Sequence, residues 1–362
     1  VHEWAAQRLS PTSRANPARR RATISRQGTP EMRQPRRERS LAPHSGARNA
    51  DLFLPAIGNA IRGVAEKLQR RFEPQPASIP FNAEHERVRF LGMSASQSKS
   101  VWLLEREMFA DGHAALAAAI HENGGRIVDW SDTWWAEKRP PALHDELVVF
   151  HGSLGNAAKI VEQMPRRPGA FCNVSQLSCS HYVPLLNDHA VQRNGIFCTV
   201  QALVNEHKTL LENWPSSTIF VRPDSPLKPF SGRVIERSAI SLTALDYGFY
   251  YDDTNLPIFV CPPRAIGREW RFVVVGNNVV AHSSYLASDR SPDCASPPRE
   301  AVQLADFIAR SLPVSDLAFM IDIAEVEDEL GILELNAFSG FDLYACDRNA
   351  IVHAIHEALM VA

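Results

Sequence analysis

Beyond about residue 85 the apolar positions fall into two periods, one of two residues and one near 3.6, which mark out strands and helices. Val88–Gly92 reads as a first strand, and Leu103–Glu122 carries apolar residues at helical spacing until Gly124 and Gly125 stop it. Arg126–Trp130 and Glu146–His151 are strand-like, Asn156–Met164 is helical, and Ala170–Asn173 is a fourth short strand. Strands alternating with helices predict a small parallel α/β lobe.

From about Ser216 the strands lengthen and their connections shorten. Thr218–Arg222, Gly232–Glu236, Ile258–Cys261, Glu269–Val275 and Val279–Ser284 read as strands. Gly276, Asn277 and Asn278 make the turn of the last pair a hairpin, since Gly and Asn tolerate positive φ. A helix over Arg299–Leu312 follows, then strands Ala318–Val326 and Gly331–Leu335 around the acidic turn Glu327, Asp328 and Glu329, and a final helix over Ala350–Met360. The pattern is that of a mixed α/β (α+β) protein in three segments: a disordered Arg- and Pro-rich tail at 1–85, a parallel lobe at 86–175 and a larger region at 176–362. Only Leu52–Phe72 breaks the monotony of the tail, as an isolated amphipathic helix.

Charge sharpens this division. Residues 1–50 hold eleven Arg, no Lys and three acids (Glu3, Glu31 and Glu38), a net +8 within a chain of net −3, so the rest carries −11. So acidic a body is a poor partner for nucleic acid, and only the tail offers weak phosphate contacts. No apolar run approaches the roughly 18 to 20 residues of a membrane helix. The six cysteines form no CxxC pair and no zinc spacing, which fits reduced thiols and a cytoplasmic location.

The densest chemistry lies between Met320 and Phe338. Glu334 and Asn336 are two apart on a strand, so both point to one face. Asp322, between apolar Ile321 and Ile323, is brought alongside Glu334 if the two strands pair through the acidic turn. Three such oxygens at one point form a hard-ligand site suited to magnesium held against phosphates. Charged residues set between apolar neighbours usually have a partner, which disfavours a merely solvated acidic face.

Asp322 followed by Glu334-Leu-Asn336 resembles the metal-binding signature of the ATP-grasp superfamily, which includes D-alanine:D-alanine ligase and glutathione synthetase. The resemblance extends over residues 170–362 and implies an ATP-grasp fold behind a small α/β lobe. Phe220-Val-Arg222 and the following loop with Lys228 resemble the strand and phosphate loop of that superfamily. An Arg at position 222 with a downstream Lys resembles the little-characterised clade named for one Arg and two Lys. Ile258-Phe-Val260-Cys261 resembles the hinge whose main chain reads adenine. Glu269 matches the position that accepts from the ribose hydroxyls, and Arg271, on the same strand face, is placed to stabilise the transferred phosphate, with Lys228 as its catalytic partner. The usual earlier Lys has only Lys208 as a candidate, in a helical stretch.

The resemblance implies ATP and Mg2+ as cofactors, and small-molecule or peptide carboxylate and amine substrates joined through an acyl phosphate. A phosphotransferase on the same fold and a non-catalytic ATP-binding module are the alternatives. His282 and Tyr285 fit a core or a substrate-facing place. Trp130, Trp134 and Trp135 fit packing better than a peptide-binding wall, and Asp342 and Asp347 fit either a substrate amine or a helix cap.

Overall fold

The computed structural model describes residues 100–361 apart from 138–145, 165–168, 246–252, 287–291, 294–295 and 328. The tail 1–85, its stretch Leu52–Phe72 and the expected strand Val88–Gly92 lie outside these residues. The described residues belong to one compact unit.

Three short strands, Val101–Leu104 (β1), Arg126–Asp129 (β2) and Val148–His151 (β3), form a parallel sheet in the order β2-β1-β3. Ala110–Glu122 (α1), the short Thr133–Glu137 (α2) and Leu154–Gln163 (α3) connect or follow them. β1 and β3 are buried along their whole length, because Trp102, Leu104 and Val149 face α1 while Val101, Leu103, Val148 and Phe150 share a core with α3. Leu103 and Leu104 therefore belong to a strand, not to the start of a helix. Four consecutive buried apolar residues satisfy either period, and the helix begins only at Ala110.

The expected fourth strand, Ala170–Asn173, joins no ladder. Phe150 N–H donates to Gly169 O at 2.8 Å, while Phe171 N–H donates to Ser339 Oγ at 2.8 Å and Phe171 O accepts from Ser339 N–H at 3.3 Å. Trp130 packs against Trp134 and Trp135 at centroid distances of 5.0 and 5.4 Å, and its own indole and that of Trp135 donate to Asp132 and Asn156. The three rings are packing.

Cys179–Leu185 (α4) leads into Ile196–Thr199 (β4) and Val200–Leu210 (α5), whose Lys208 is exposed. α4 and β4 have no clear sequence signature. Together with Thr218–Pro223 (β5), Arg233–Glu236 (β6) and Pro257–Cys261 (β7), β4 builds an antiparallel sheet in the order β4-β7-β5-β6. A second antiparallel sheet contains Arg268–Val275 (β8), Asn278–Leu286 (β9), Pro292–Asp293 (β10), Ala318–Val326 (β11) and Glu329–Ala337 (β12), in the order β10-β9-β8-β11-β12. Its first hairpin turns on Gly276 and Asn277, at φ 55° and 69°, the two positive values a two-residue turn requires.

The two faces of this larger sheet are read off by alternation. Phe272, Val274, Phe319, Ile321 and Ile323 share a core with Ala301, Ala305 and Ile308 of the helix Arg299–Ser311 (α6). On the other face, Val273, Val275, Ala318 and Met320 pack with Ile351, Val352 and Ile355 of the helix Arg348–Val361 (α7). Beyond Met320 and Val273 that second face turns polar, with Asp322 and Arg271.

Between the parallel lobe and the segment leading into α7 lies a buried histidine pair. His113 Nε2 and His151 Nδ1 are 2.9 Å apart, and the residues are 3% and 1% exposed. Burial pushes His151 down to about 3, helped by His113 and Arg348. It pushes His113 down to about 4, with Arg106 lowering and Asp342 raising it. The unfolded chain takes up these protons at about 6.5, so between there and about 4 it binds more protons than the folded state. The pair's contribution to stability is present above pH ~6.5 and is lost as pH falls toward ~4. Urea midpoints of the parent should decline across that window, and a variant carrying both His113→Gln and His151→Gln should decline less. Identical pH slopes would remove the pair from the acid response.

Candidate active site

The polar face of the larger sheet depends on one irregularity. Between β11 and β12, Asp322 lies opposite Glu334 but Ile323 lies opposite Ile332, so Leu333 is an extra residue. Ile332 and Leu335 both point into the α6 core, which strict alternation forbids for residues three apart. The bulge resolves the conflict: were Leu333 an ordinary strand residue in strict alternation, Glu334 would fall on the same side as Ile332 and enter the core. With it, Glu334 joins Asp322 and Asn336 on the polar face. Asn336 Nδ2 donates to Asp322 Oδ2 at 2.8 Å and to Glu334 Oε1 at 3.1 Å, so the three expected ligands do meet.

Cations from three strands or loops converge on these carboxylates. Arg271, opposite Asp322 on β8, donates through Nε to Oδ1 at 2.9 Å and through Nη2 to Oδ2 at 2.7 Å. Arg222, on β5 of the other sheet, reaches Glu334 Oε2 through Nη2 at 2.9 Å, and its Nη1 donates to Leu333 O at 3.2 Å, the carbonyl of the bulged residue. Lys228 Nζ completes the set at 2.6 Å from Glu334 Oε1. Burial pushes the Glu334 carboxyl up, but Lys228, Arg222 and Arg271 outweigh it and hold the group well below the usual carboxylate range.

The loop carrying Lys228 is fixed rather than glycine-rich. Asp224 accepts from Cys179 N–H through its main-chain oxygen and from Ser180 N–H through its carboxylate, which ties the loop to the start of α4. Lys228 itself sits at φ 47°, a left-handed backbone uncommon outside glycine. Aromatic rings then cover the cations: Phe341 lies 4.5 Å from Lys228 Nζ and 5.5 Å from the Arg271 guanidinium, with Tyr344 at 4.8 Å from the latter.

Glu269 is buried on the same face of β8 as Arg271, two residues away. On β7, Val260 is flanked by Ile196 and Val221, whereas Cys261 is opposite Phe220 alone and ends the strand. Burial pushes the Cys261 thiol up to about 12, so it is no nucleophile at neutral pH. His282 lies opposite Phe272, on the face away from the cluster, and is exposed; the Tyr285 side chain is outside the described residues. Asp347 accepts from Ala350 N–H at 3.0 Å, which makes it the cap of α7. Asp342 instead stays in the loop, its main-chain oxygen accepting from Arg271 Nη1 at 2.7 Å.

Sequence reasoning missed Leu333 O, Phe341, Tyr344 and Ser283, whose Oγ accepts from Ala345 N–H at 3.1 Å. Only Leu333 left a signal, the three-residue spacing of Ile332 and Leu335. The Asp322–Arg271 pair, 0% and 2% exposed in its side chains, generates a stability prediction. Asp322→Ala leaves an uncompensated buried guanidinium and should cost roughly 3–5 kcal/mol. Arg271→Met with Asp322→Leu should recover most of that loss in urea unfolding. A cost under about 1 kcal/mol for the single variant would mean that water already reaches the pair.

Residues 191–354 match a family described as an ATP-grasp domain, the second family of the clade named for one Arg and two Lys. No curated protein matches the chain by sequence. Among solved structures, the D-alanine–D-alanine ligase of Bacillus anthracis complexed with ATP is 12% identical with a TM-score of 0.50, over 72% of this chain and 97% of that one. D-cycloserine synthetase DcsG is 14% identical with a TM-score of 0.49, over 72% and 99%. A RimK domain ATP-grasp protein of Sphaerobacter thermophilus is 12% identical with a TM-score of 0.48, over 72% and 99%. At such identities the likeness is one of fold. The matched segment spans β5, β7, β8, β11 and β12 with every cation and carboxylate of the cluster.

Proposed function

We propose that this protein binds ATP with magnesium at the cluster and activates a carboxylate as an acyl phosphate, which an amine then attacks to form an amide. The observation that carries this reading is the meeting of Arg222, Lys228 and Arg271 with Asp322 and Glu334 through direct hydrogen bonds. Three cations against two carboxylates leave the bonded set net positive, which suits a polyanionic triphosphate. A ligase of the same fold is described in complex with ATP.

The donors also fit a divalent ion. Asn336 Oδ1 is buried with no hydrogen-bond partner, and it adds a third hard oxygen to those of Asp322 and Glu334. These three residues would hold magnesium, which when bound neutralises charge on the phosphate oxygens. The chain's own groups account for the rest. Phosphate oxygens compete with the carboxylates for Arg222 and Lys228, and each cation that turns to phosphate frees a carboxylate oxygen for the metal. Glu269 would accept from the ribose hydroxyls, and the main chain of Val260 and Cys261 would read the adenine edge. Arg271, held by Asp322 and Asp342 O, is oriented in advance to stabilise charge on the transferred phosphoryl group.

Because Glu334 neutralises two largely buried cations, Glu334→Ala would test folding as much as chemistry. The isosteric Glu334→Gln is the cleaner variant, and it should lower ATP turnover by about 10² or more while leaving the unfolding free energy measured in urea within ~2 kcal/mol of the parent. Parental turnover by this variant would refute the metal assignment. Mass spectrometry of products formed from ATP, magnesium and pooled amino acids or cell extract separates ligation from its alternatives. ADP with an amide supports ligation, a phosphorylated product indicates a phosphotransferase, and ATP binding without ADP release indicates a non-catalytic module.

A further inference from the structure

We infer that the ring of Phe341 is an autoinhibitory stopper, which holds the place of nucleotide phosphate on Lys228 and Arg271 and must swing aside before a nucleotide enters. This rests on the nucleotide reading above and adds how access to that site is controlled. The first observation is closure. The Arg271 and Asp322 side chains are 2% and 0% exposed, and those of Arg222 and Glu334 are nearly as covered, so little of the cluster meets solvent. Lys228, 25% exposed in its side chain, is its most open member, and the Phe341 ring lies over that ammonium at 4.5 Å.

The ring is suited to stand in for an anion. An aromatic face is electron-rich, and it stabilises a cation most where water is excluded. Lys228 Nζ has Glu334 Oε1 at 2.6 Å in addition to the ring. Arg271 bonds Asp322 through Nε and Nη2 and Asp342 O through Nη1, and its guanidinium lies 5.5 Å from the same ring. One side chain thus serves two cations, in a set where three cations face two carboxylates, and its quadrupole offsets part of the excess positive charge. A phosphate oxygen carries a full charge and accepts hydrogen bonds, so it outcompetes the ring for both cations.

The surroundings let the ring move while the chain stays. Ser339, two residues earlier, is held at three atoms: its N–H donates to Phe171 O, its main-chain oxygen accepts from Gly152 N–H and its Oγ accepts from Phe171 N–H. Leu343 and Cys346 are buried in the core shared with α7, and Arg348 donates to Tyr344 O and Cys346 O. Phe341 is only half-buried, so its side chain can turn toward water with these anchors intact. Across the cluster the phosphate loop is tied down at Asp224, which leaves the ring as the part free to yield. Backbone strain flanks the cluster on both segments: Lys228 sits at φ 47° and Tyr344 at φ 46°, although neither is Gly or Asn. Strain of this kind is concentrated at ligand clamps and switches.

The test uses the full chain with magnesium and the non-hydrolysable β,γ-imido analogue of ATP. Ring current from Phe341 shifts the Lys228 ε-methylene protons upfield. In lysine-labelled protein this resonance, assigned with Lys228→Arg, should move to an ordinary position when the analogue binds. In Phe341→Leu, which keeps apolar bulk but has no π face, it should be there already. That variant should bind the analogue faster and about threefold or more tightly than the parent, while Phe341→Tyr, which restores the face, stays within about twofold of it. A merely structural role for Phe341 would weaken binding in the Leu variant and would not quicken it. The stopper is overturned if the bound parent keeps the upfield resonance, if Phe341→Leu binds no tighter than the parent, or if Phe341→Tyr binds as tightly as Phe341→Leu. Should the analogue bind neither the parent nor the variants, the nucleotide reading falls and the stopper with it; binding that Phe341→Leu leaves unaltered removes the stopper alone.

Discussion

Charge compensation without water is the constraint on which this protein's central face depends. Asp322 and Arg271 are sealed inside a sheet, and Glu334 faces Arg222 and Lys228 in a setting nearly as closed. Buried ion pairs contribute little net stability over apolar packing of the same shape, yet losing one partner is costly. The arrangement is therefore better explained by chemistry than by stability. Under the proposed function it would store cations and carboxylates that neutralise one another until a more highly charged ligand re-sorts them.

The cluster draws on two sheets. Arg222 comes from the four-stranded sheet and Glu334 from the five-stranded one, and their contact closes the cluster. Phe341 and Tyr344 cover the cations from the loop side. The same loop, through Asp342 and Arg348, reaches the histidine pair of the parallel lobe. In this segment the main-chain oxygens of Asp342, Tyr344 and Cys346 are committed to guanidinium groups.

Much of this is legible in the sequence, and the reasons are physical. Long apolar strands bounded by a turn, such as Ala318–Val326, have one interpretation, and the placing of Asp322 between Ile321 and Ile323 assigns its face correctly. The acidic turn brings Asp322 near Glu334, but it is the extra residue Leu333 that sets the two opposite one another. Short buried runs are harder: Val101–Leu104 is apolar on both faces and merges with the pattern of the following helix, while Ala170–Asn173 has strand composition but spends its hydrogen bonds on Ser339. His113 and His151 are silent because nothing local marks two imidazoles 38 residues apart as neighbours. Phe341 and Tyr344 are silent for a similar reason, since a ring over a cation is a property of loop geometry.

The extra residue at Leu333 divides the β11–β12 hairpin mechanically. On the inner side, from Asp322 and Glu334 to Phe319 and Ala337, the strands are in register and anchored to the cluster; on the outer side, toward Val326 and Glu329, they follow a register displaced by one. The discontinuity acts as slack in a tether. Length changes or sliding near the acidic tip are absorbed at the step and need not drag Glu334 from its partners. Variation at the tip is thereby uncoupled from the chemistry, and the hairpin can drift at one end in evolution while the other stays fixed.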